Sequence, residues 1–277
     1  MKPKRRRADE LLLEQCELSS IRLARALILE GRALSGDTPI QSAAQLLRTD
    51  AKLRIKGELD GYVSRGAHKL KRAIDAFEID LRGRVCIDIG AAAGGFTDVM
   101  LRAGAGKVYA VDVGYNLLDY RIRSDPRVVP MERVNARLLA PGDLPEAPDF
   151  GATDVSFISL KAVLPPVLSL MSGDARFVAL IKPQFEAAQE QVEPGGVVRD
   201  PSVHKQVISS IVEWLPSQGW SCAGLDFSPI TGPAGNIEFL VFLAPARQLS
   251  NKVDESTIET TIRAAYDKFF KSANLGL

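Results

Sequence analysis

The stretch Val85-Cys86-Ile87-Asp88-Ile89-Gly90-Ala91-Ala92-Ala93-Gly94-Gly95-Phe96 reads as strand, turn and helix in immediate succession. Val85 to Asp88 is an apolar run closing on an acid, Gly90 to Gly95 a turn of small residues, and Phe96 to Ala103 a helix. Small residues between a strand and a helix let a ligand approach the backbone. A second strand, Lys107 to Val111, closes on Asp112, 24 residues beyond Asp88. An acid about 20 residues past a glycine turn commonly holds ribose hydroxyls. The interval from Gly90 to Gly94 is too long for GxGxxG, which disfavours nicotinamide dinucleotides. A carboxylate at Asp88 would suit a ligand with a cationic end, such as S-adenosylmethionine. A tight turn with no ligand is the plainer alternative.

Working outward, strand and helix signals keep alternating. Val128 to Met131 and Phe150 to Thr153 read as strands, and Leu160 to Leu170 as a helix that Pro165-Pro166 should kink or split. Phe177 to Ile181 is a strand, Val203 to Gln218 a helix, and Trp220 to Phe227 and Ile237 to Leu243 are late strands. This alternation predicts an α/β fold, a parallel Rossmann-like sheet covered on both faces. Toward the N-terminus, Tyr62 to Leu70 leads into a helix through Phe77, after a linker at Glu58 to Gly61. Before the linker lie two short helices, Arg7 to Cys16 and a second capped at Ser19-Ser20 and ending at Gly31, with strand signals at Arg32 to Asp37 and Leu53 to Gly57. The predicted organisation is a small α+β domain over 1–60, an α/β domain over 61–250 and a helical tail over 251–277.

Charge divides the chain the same way. Residues 1–72 hold 16 Lys and Arg against 9 Asp and Glu (+7), and residues 73–277 hold 19 against 25 (−6). A basic arm on an acidic body suggests that one part holds a polyanion such as RNA; a basic helical cap without a ligand is the alternative. The 277 residues allow one or two domains, and 46% hydrophobic with 25% charged residues excludes disorder and a disulfide miniprotein. No apolar run reaches the ~18 residues of a membrane helix, and the basic start MKPKRRRADELL lacks the apolar region of a secretion signal. Cys16, Cys86 and Cys222 are far apart and read as buried thiols in a reducing cytoplasm. His68 and His204 stand singly, without neighbours at metal-ligand spacing, so no metal site is expected. Trp214 and Trp220 read as packing residues.

Two charged residues sit just past strand ends: Asp154 after Phe150 to Thr153, and Lys182 after Phe177 to Ile181. Ligands of open α/β sheets bind at that carboxyl edge. A lysine there serves as a base only in its neutral form, which burial and a neighbouring cation favour; a carboxylate orients it but retains the proton. Lys69 could be the cation and Glu238 a further orienting acid. On spacing alone, ordinary surface salt bridges explain these residues equally well.

A run of ordered motifs carries a resemblance. Ser64 to Leu70 (SRGAHKL), Asp88 to Leu101 (DIGAAAGGFTDVML), Lys107 to Leu118 (KVYAVDVGYNLL), Asp125 to Arg137, Thr153 to Pro166 (TDVSFISLKAVLPP), Leu180 to Ala187 (LIKPQFEA), Gly195 to His204 and Ser228 to Leu243 cover most of residues 62–243. The chain resembles the TlyA-type, hemolysin-A-like ribosomal RNA 2′-O-methyltransferases, within the FtsJ-like methyltransferases. Residues 1–60 resemble, more loosely, that family's small RNA-binding domain of the S-four ribosomal type. The resemblance implies a cytoplasmic enzyme, S-adenosylmethionine as cofactor, ribosomal RNA or ribosomal subunits as partner, and neither a metal nor stable membrane insertion. It places the family's Lys-Asp-Lys-Glu tetrad on Lys69, Asp154, Lys182 and Glu238. The cofactor site it implies comprises Asp88, Gly90, Ala91, Gly94, Gly95, Phe96 and Thr97, with Asp112 on the ribose and Asn135 near the adenine. Ala92-Ala93 and Asn116-Leu117 depart from Ser-Thr and Gly-Gln, frequent in relatives. In this reading Lys182 is the base, Asp154 holds its amine and the approach of the hydroxyl, Lys69 lowers the amine's proton affinity or binds the oxygen, and Glu238 steers Lys182. A membrane-active hemolysin and a non-catalytic RNA-binding protein with a vestigial methyltransferase fold are the rival readings; a dehydrogenase would leave Lys69, Asp154 and Lys182 unexplained.

Overall fold

The computed structural model describes residues 4–18, 20–29, 31–56 and 61–271. Ser19, Gly57 and the linker residues Glu58 to Asp60 lie outside them. The chain divides into two units, Met1–Ser64 and Arg65–Leu277.

The first unit runs β1 (Arg5–Arg7), α1 (Ala8–Gln15), α2 (Ile21–Leu29), β2 (Ala33–Ser35), β3 (Thr38–Pro39), β4 (Leu46–Arg48) and β5 (Leu53–Ile55). β1 pairs antiparallel with β4, and β2 lies between β3 and β5. Its core is small: Leu12, Leu18, Leu27, Ile28 and Ile40 close over Ala8, Ala24 and Ala33. Asp9 is fully buried beside it because Arg7 and Arg25 reach its carboxylate at 2.9 and 2.8 Å. The Arg7 hydrogen bond outweighs burial and holds the Asp9 carboxyl at about 2.

The second unit begins with α3 (Ala67–Ala76), β6 (Val85–Ile89), α4 (Gly95–Arg102), β7 (Lys107–Asp112), α5 (Tyr120–Arg123) and β8 (Val128–Glu132). It continues through β9 (Phe150–Thr153), α6 (Leu160–Ser169), β10 (Arg176–Ile181), α7 (Pro201–Trp214), β11 (Trp220–Phe227), β12 (Phe239–Pro245) and α8 (Glu255–Tyr266). The seven strands form one sheet in the order β11-β12-β10-β9-β6-β7-β8. β6 to β10 are parallel, as alternation predicts; β12 runs antiparallel to both β10 and β11. Central strands of this kind are buried on both faces and therefore read as apolar runs. On one face Ile87, Val111, Phe177, Ala179, Phe239 and Val241 join the buried residues of α6, α7 and α8 in a single core. Leu70, Ala73 and Met100 of α3 and α4 are buried outside that core, where these helices meet each other and strands β6, β7 and β12.

The helix expected over Leu160 to Leu170 is present as α6, and it is not split: Pro165 and Pro166 lie inside one helix. Each proline removes a backbone donor, a disruption of ~3 kcal/mol in a helix interior. Leu160, Val163, Leu164, Val167 and Leu168 are all buried along the same helix, and this packing outweighs the local penalty. α8 likewise packs into the core through Ile258, Ile262 and Ala265. No helix among the described residues is long and apolar enough to cross a membrane.

Candidate active site

The strand order reverses at β6: β7 and β8 follow on one side, β9 and β10 on the other. A crevice opens at such a switch point, outside the carboxyl ends of the strands. β6 delivers Asp88 there, β7 delivers Asp112, and Asp154 and Lys182 lie one residue past β9 and β10. Because β12 is antiparallel, its beginning reaches the same edge. Ile181 pairs with Phe239, so Lys182 and Glu238 are the next positions outward.

The four tetrad residues meet as a row of alternating charge. Lys182 Nζ lies 2.6 Å from Asp154 Oδ1; Asp154 Oδ2 accepts a 3.0 Å hydrogen bond from Lys69 Nζ; Lys69 Nζ lies 2.8 Å from Glu238 Oε2. Glu238 thus pairs with Lys69, not with Lys182 as the sequence reading had it, because α3 brings the Lys69 amine between the two carboxylates. Lys182 has a different second partner, the Ser156 hydroxyl, which accepts from Nζ at 2.8 Å. Lys69, Lys182 and Glu238 are buried. Burial works against the charge on Lys69, but Asp154 and Glu238 together outweigh it and raise its pKa. Burial also pushes Asp154 up, and the two lysines overcome that and hold it below the usual carboxylate range. Glu238, with one lysine partner, stays pushed up by burial.

Beside this row is a cavity of about 550 Å³, a volume suited to a small molecule. Gly90, Asp112, Asn135 and Asp154 line it. Gly90 has φ +82, and a Cβ there would stand 3.0 Å from the Asp154 carbonyl oxygen and 3.1 Å from the Val155 side chain, so the approach requires glycine. Asp112 braces the turn: Oδ2 accepts from Ala92 N–H at 3.0 Å and Oδ1 from Gly114 N–H at 2.7 Å. Asn135 Oδ1 accepts from Arg137 N–H at 3.1 Å.

The other expected cofactor residues, Asp88, Ala91, Gly94, Gly95, Phe96 and Thr97, are outside the lining and build the turn and the start of α4. Asp88 is 1% exposed, and Thr97 Oγ1 donates to its Oδ2 at 2.6 Å. Its Oδ1 is buried with no hydrogen-bond partner. Burial, opposed by the Thr97 bonds, pushes the Asp88 carboxyl up to about 7. An orphaned carboxylate oxygen in this turn, a glycine-only approach and a cavity edged by Asp112 are features that fit a ligand bearing both an ammonium group and a ribose.

Sequence reasoning missed Ser156 and Phe157. Both line the cavity, and both stand in the quoted run TDVSFISLKAVLPP. Phe157 is 90% exposed at φ +64, and its ring lies 5.0 Å from that of Phe185 in the loop after Lys182. An aromatic three residues past the strand-end acid Asp154 and without helical or strand periodicity was the available signal. His204, by contrast, is a packing residue: fully buried, with Nε2 at 3.1 Å from the Val198 carbonyl, and lowered by burial to about 4.

Comparison with known proteins agrees with this architecture. The FtsJ-like methyltransferase family profile matches residues 62–244. The 16S/23S rRNA (cytidine-2′-O)-methyltransferase TlyA of Mycobacterium tuberculosis is 40% identical over 262 residues, 94% of this chain and 98% of that one. Hemolysin A of Brachyspira hyodysenteriae is 35% identical over 235 residues, 84% of this chain and 98% of its own. A solved structure from Streptococcus thermophilus, provisionally named a hemolysin, superposes with TM-score 0.80 at 38% identity, covering 99% of this chain and 100% of that one. A family match across the whole α/β sheet, joined to near full-length relatives, decides the matter: this chain belongs to the FtsJ-like methyltransferases.

Proposed function

We propose that the chain is an S-adenosylmethionine-dependent methyltransferase that modifies a ribose 2′-hydroxyl of ribosomal RNA, and that Lys69, Asp154, Lys182 and Glu238 carry the reaction. The supporting relatives are those named for rRNA cytidine-2′-O-methylation. The observation that carries the role assignment is the unequal pairing of the two lysines. Lys69 sits between two carboxylates and is kept cationic; Lys182 has one carboxylate and one hydroxyl, so the base is Lys182.

The bound cofactor supplies an electrophilic methyl group on sulfonium sulfur. Gly90, Asp112 and Asn135 would hold it along the cavity wall, with Asp112 on the ribose hydroxyls. A ribose hydroxyl is a weak nucleophile and must lose its proton as it attacks. Lys182 Nζ, in its neutral form, takes that proton. Asp154 and Ser156 fix the direction of the amine. Lys69, held by Glu238, remains a fixed positive charge on the far side of Asp154. Phe157 offers an exposed aromatic face at the cavity mouth on which the target base can stack, a contact worth about 1–3 kcal/mol. The basic segment 1–60 would hold RNA through phosphate contacts that weaken with salt.

Lys182→Arg tests the base. Arginine keeps the charge but does not release a proton in proteins. The expected result is retained S-adenosylmethionine binding by calorimetry with loss of methyl transfer to ribosomal RNA from cells lacking this gene. Near-normal turnover would reduce Lys182 to an electrostatic clamp and move the proton to another acceptor.

A further inference from the structure

Glu186 belongs to no motif role assigned above, yet it spans the two loops that carry Asp154 and Lys182. It closes the 3-10 turn Pro183–Phe185, which starts directly at Lys182. Its Oε1 accepts from Leu160 N–H at 2.7 Å and its Oε2 from the Ser159 hydroxyl at 2.7 Å. Leu160 is the first residue of α6, and Ser159 is already its N-cap, accepting from Lys161 N–H at 3.1 Å. The helix start therefore has its own cap. What the carboxylate adds is a link between loops, strengthened by its negative charge at a helix N-terminus. Burial pushes Glu186 above its ordinary range against those two bonds and Lys161, so the group is held at some cost to stability.

The same loops meet at three further points, Lys182 Nζ on Asp154 Oδ1, Lys182 Nζ on Ser156 Oγ and the Phe157 ring on the Phe185 ring. Glu186 anchors the far end of this seam. We propose that Glu186 is a positioning residue for methyl transfer: it locks the loop holding Asp154 and Ser156 to the loop holding Lys182, and so fixes where the Lys182 amine stands. The inference rests on Lys182 being the base. Misplacement of a reacting group by about 1 Å can lower a rate by ~100-fold, so loosening the seam is expected to slow the chemical step far more than it weakens cofactor binding, whose proposed contacts Gly90, Asp112 and Asn135 lie outside the seam.

The test compares Glu186→Ala, Glu186→Gln, Lys182→Ala and Asp254→Ala in the full-length chain. Each is assayed with methyl-labelled S-adenosylmethionine and ribosomal RNA from cells lacking this gene, in single turnover, with cofactor Kd by calorimetry. Asp254→Ala is the stability control, because it strips the N-cap of α8, an element that holds no site residue. Glu186→Ala should slow single-turnover transfer by about 10- to 100-fold with cofactor Kd within about twofold. Glu186→Gln should recover much of the rate, since its amide can still accept from Leu160 N–H and donate to Ser159 Oγ; it also decides the matter if the alanine variant fails to fold. Asp254→Ala should keep the rate. Full-rate transfer by a folded Glu186→Ala, or a rate loss matched by an equal loss of cofactor affinity, would overturn the positioning role while Lys182→Ala stays inactive. A fully active Lys182→Ala would instead overturn the base assignment, and the positioning role with it.

Discussion

Replacing Lys69 with methionine removes the central positive charge of the row and keeps most of the side-chain volume. Lys69 is 9% exposed and Glu238 1%, so surface screening does not discount their pairing. At about 3 Å and an effective dielectric constant of ~20, each lost contact represents ~6 kcal/mol of attraction, before the hydration of the separated charges is set against it. The net expectation for breaking a buried pair by deleting one partner is ~3–5 kcal/mol. The loss should depend on pH. Glu238 is already pushed above its ordinary range by burial with Lys69 present. Without Lys69 it rises further, so the folded variant binds a proton that the unfolded chain releases near pH 4.3. Stability of the variant relative to wild type should therefore fall as pH rises from 5 to 8. Denaturant unfolding at both pH values, followed through Trp214 and Trp220, which are both in the second unit, measures this directly. Adding Glu238→Gln should recover part of the loss at pH 8. A deficit below ~1 kcal/mol, or one equal at pH 5 and 8, would refute the buried row as described.

Asp112→Ala removes the acceptor for Ala92 and Gly114 N–H together with the proposed ribose contact, and should weaken S-adenosylmethionine by ~1–3 kcal/mol; unchanged affinity in calorimetry would dismiss the ribose role. Asp88, at about 7 when folded against ~3.9 unfolded, makes the folded chain bind the extra proton between those values. Its contribution is thus most favourable below pH 4 and is lost as pH rises toward 7, an effect on the order of 4 kcal/mol. Asp88→Asn should raise stability at pH 8 and flatten that dependence; an unaltered pH profile would show that the carboxyl is not held so high.

The strands of the second unit were legible because burial on both faces leaves apolar runs, and Val85 to Asp88, Phe150 to Thr153 and Trp220 to Phe227 agree with the structure to within a residue. β1 and β4 were not. Arg5-Arg6-Arg7 and Leu46-Leu47-Arg48 are three-residue strands at a sheet of two, too short for period-two alternation to appear. The helix over Leu160 to Leu170 was legible, but its continuity through Pro165-Pro166 was not, because local propensity says nothing about five buried side chains on the same segment. Within the site, residue types, strand ends and the contact of Asp154 with Lys182 were readable, and the pairing of Glu238 with Lys69 was not.

That difference has a physical origin in the sheet. Strand ends follow from hydrophobic runs, so Asp88, Asp112, Asp154 and Lys182 fall on one edge as soon as the strands are parallel. Glu238 joins them only because β12 turns back, which puts its beginning rather than its end on that edge. The register then sets Glu238 opposite Lys182, and an account confined to the sheet would pair them. The amine that reaches Glu238 comes from α3, a helix that precedes β6 and carries no strand signal. Lys69 thereby separates the two acids by a positive charge, and Asp154 separates the two lysines by a negative one. Each buried acid or base of the row has an oppositely signed neighbour, which offsets the cost of taking such groups out of water. The row ends at one side on Glu238, enclosed, and at the other on Lys182, whose remaining partner is a neutral hydroxyl. Of the two lysines it is the one held less tightly by carboxylates, and the proposed choice of base rests on that asymmetry.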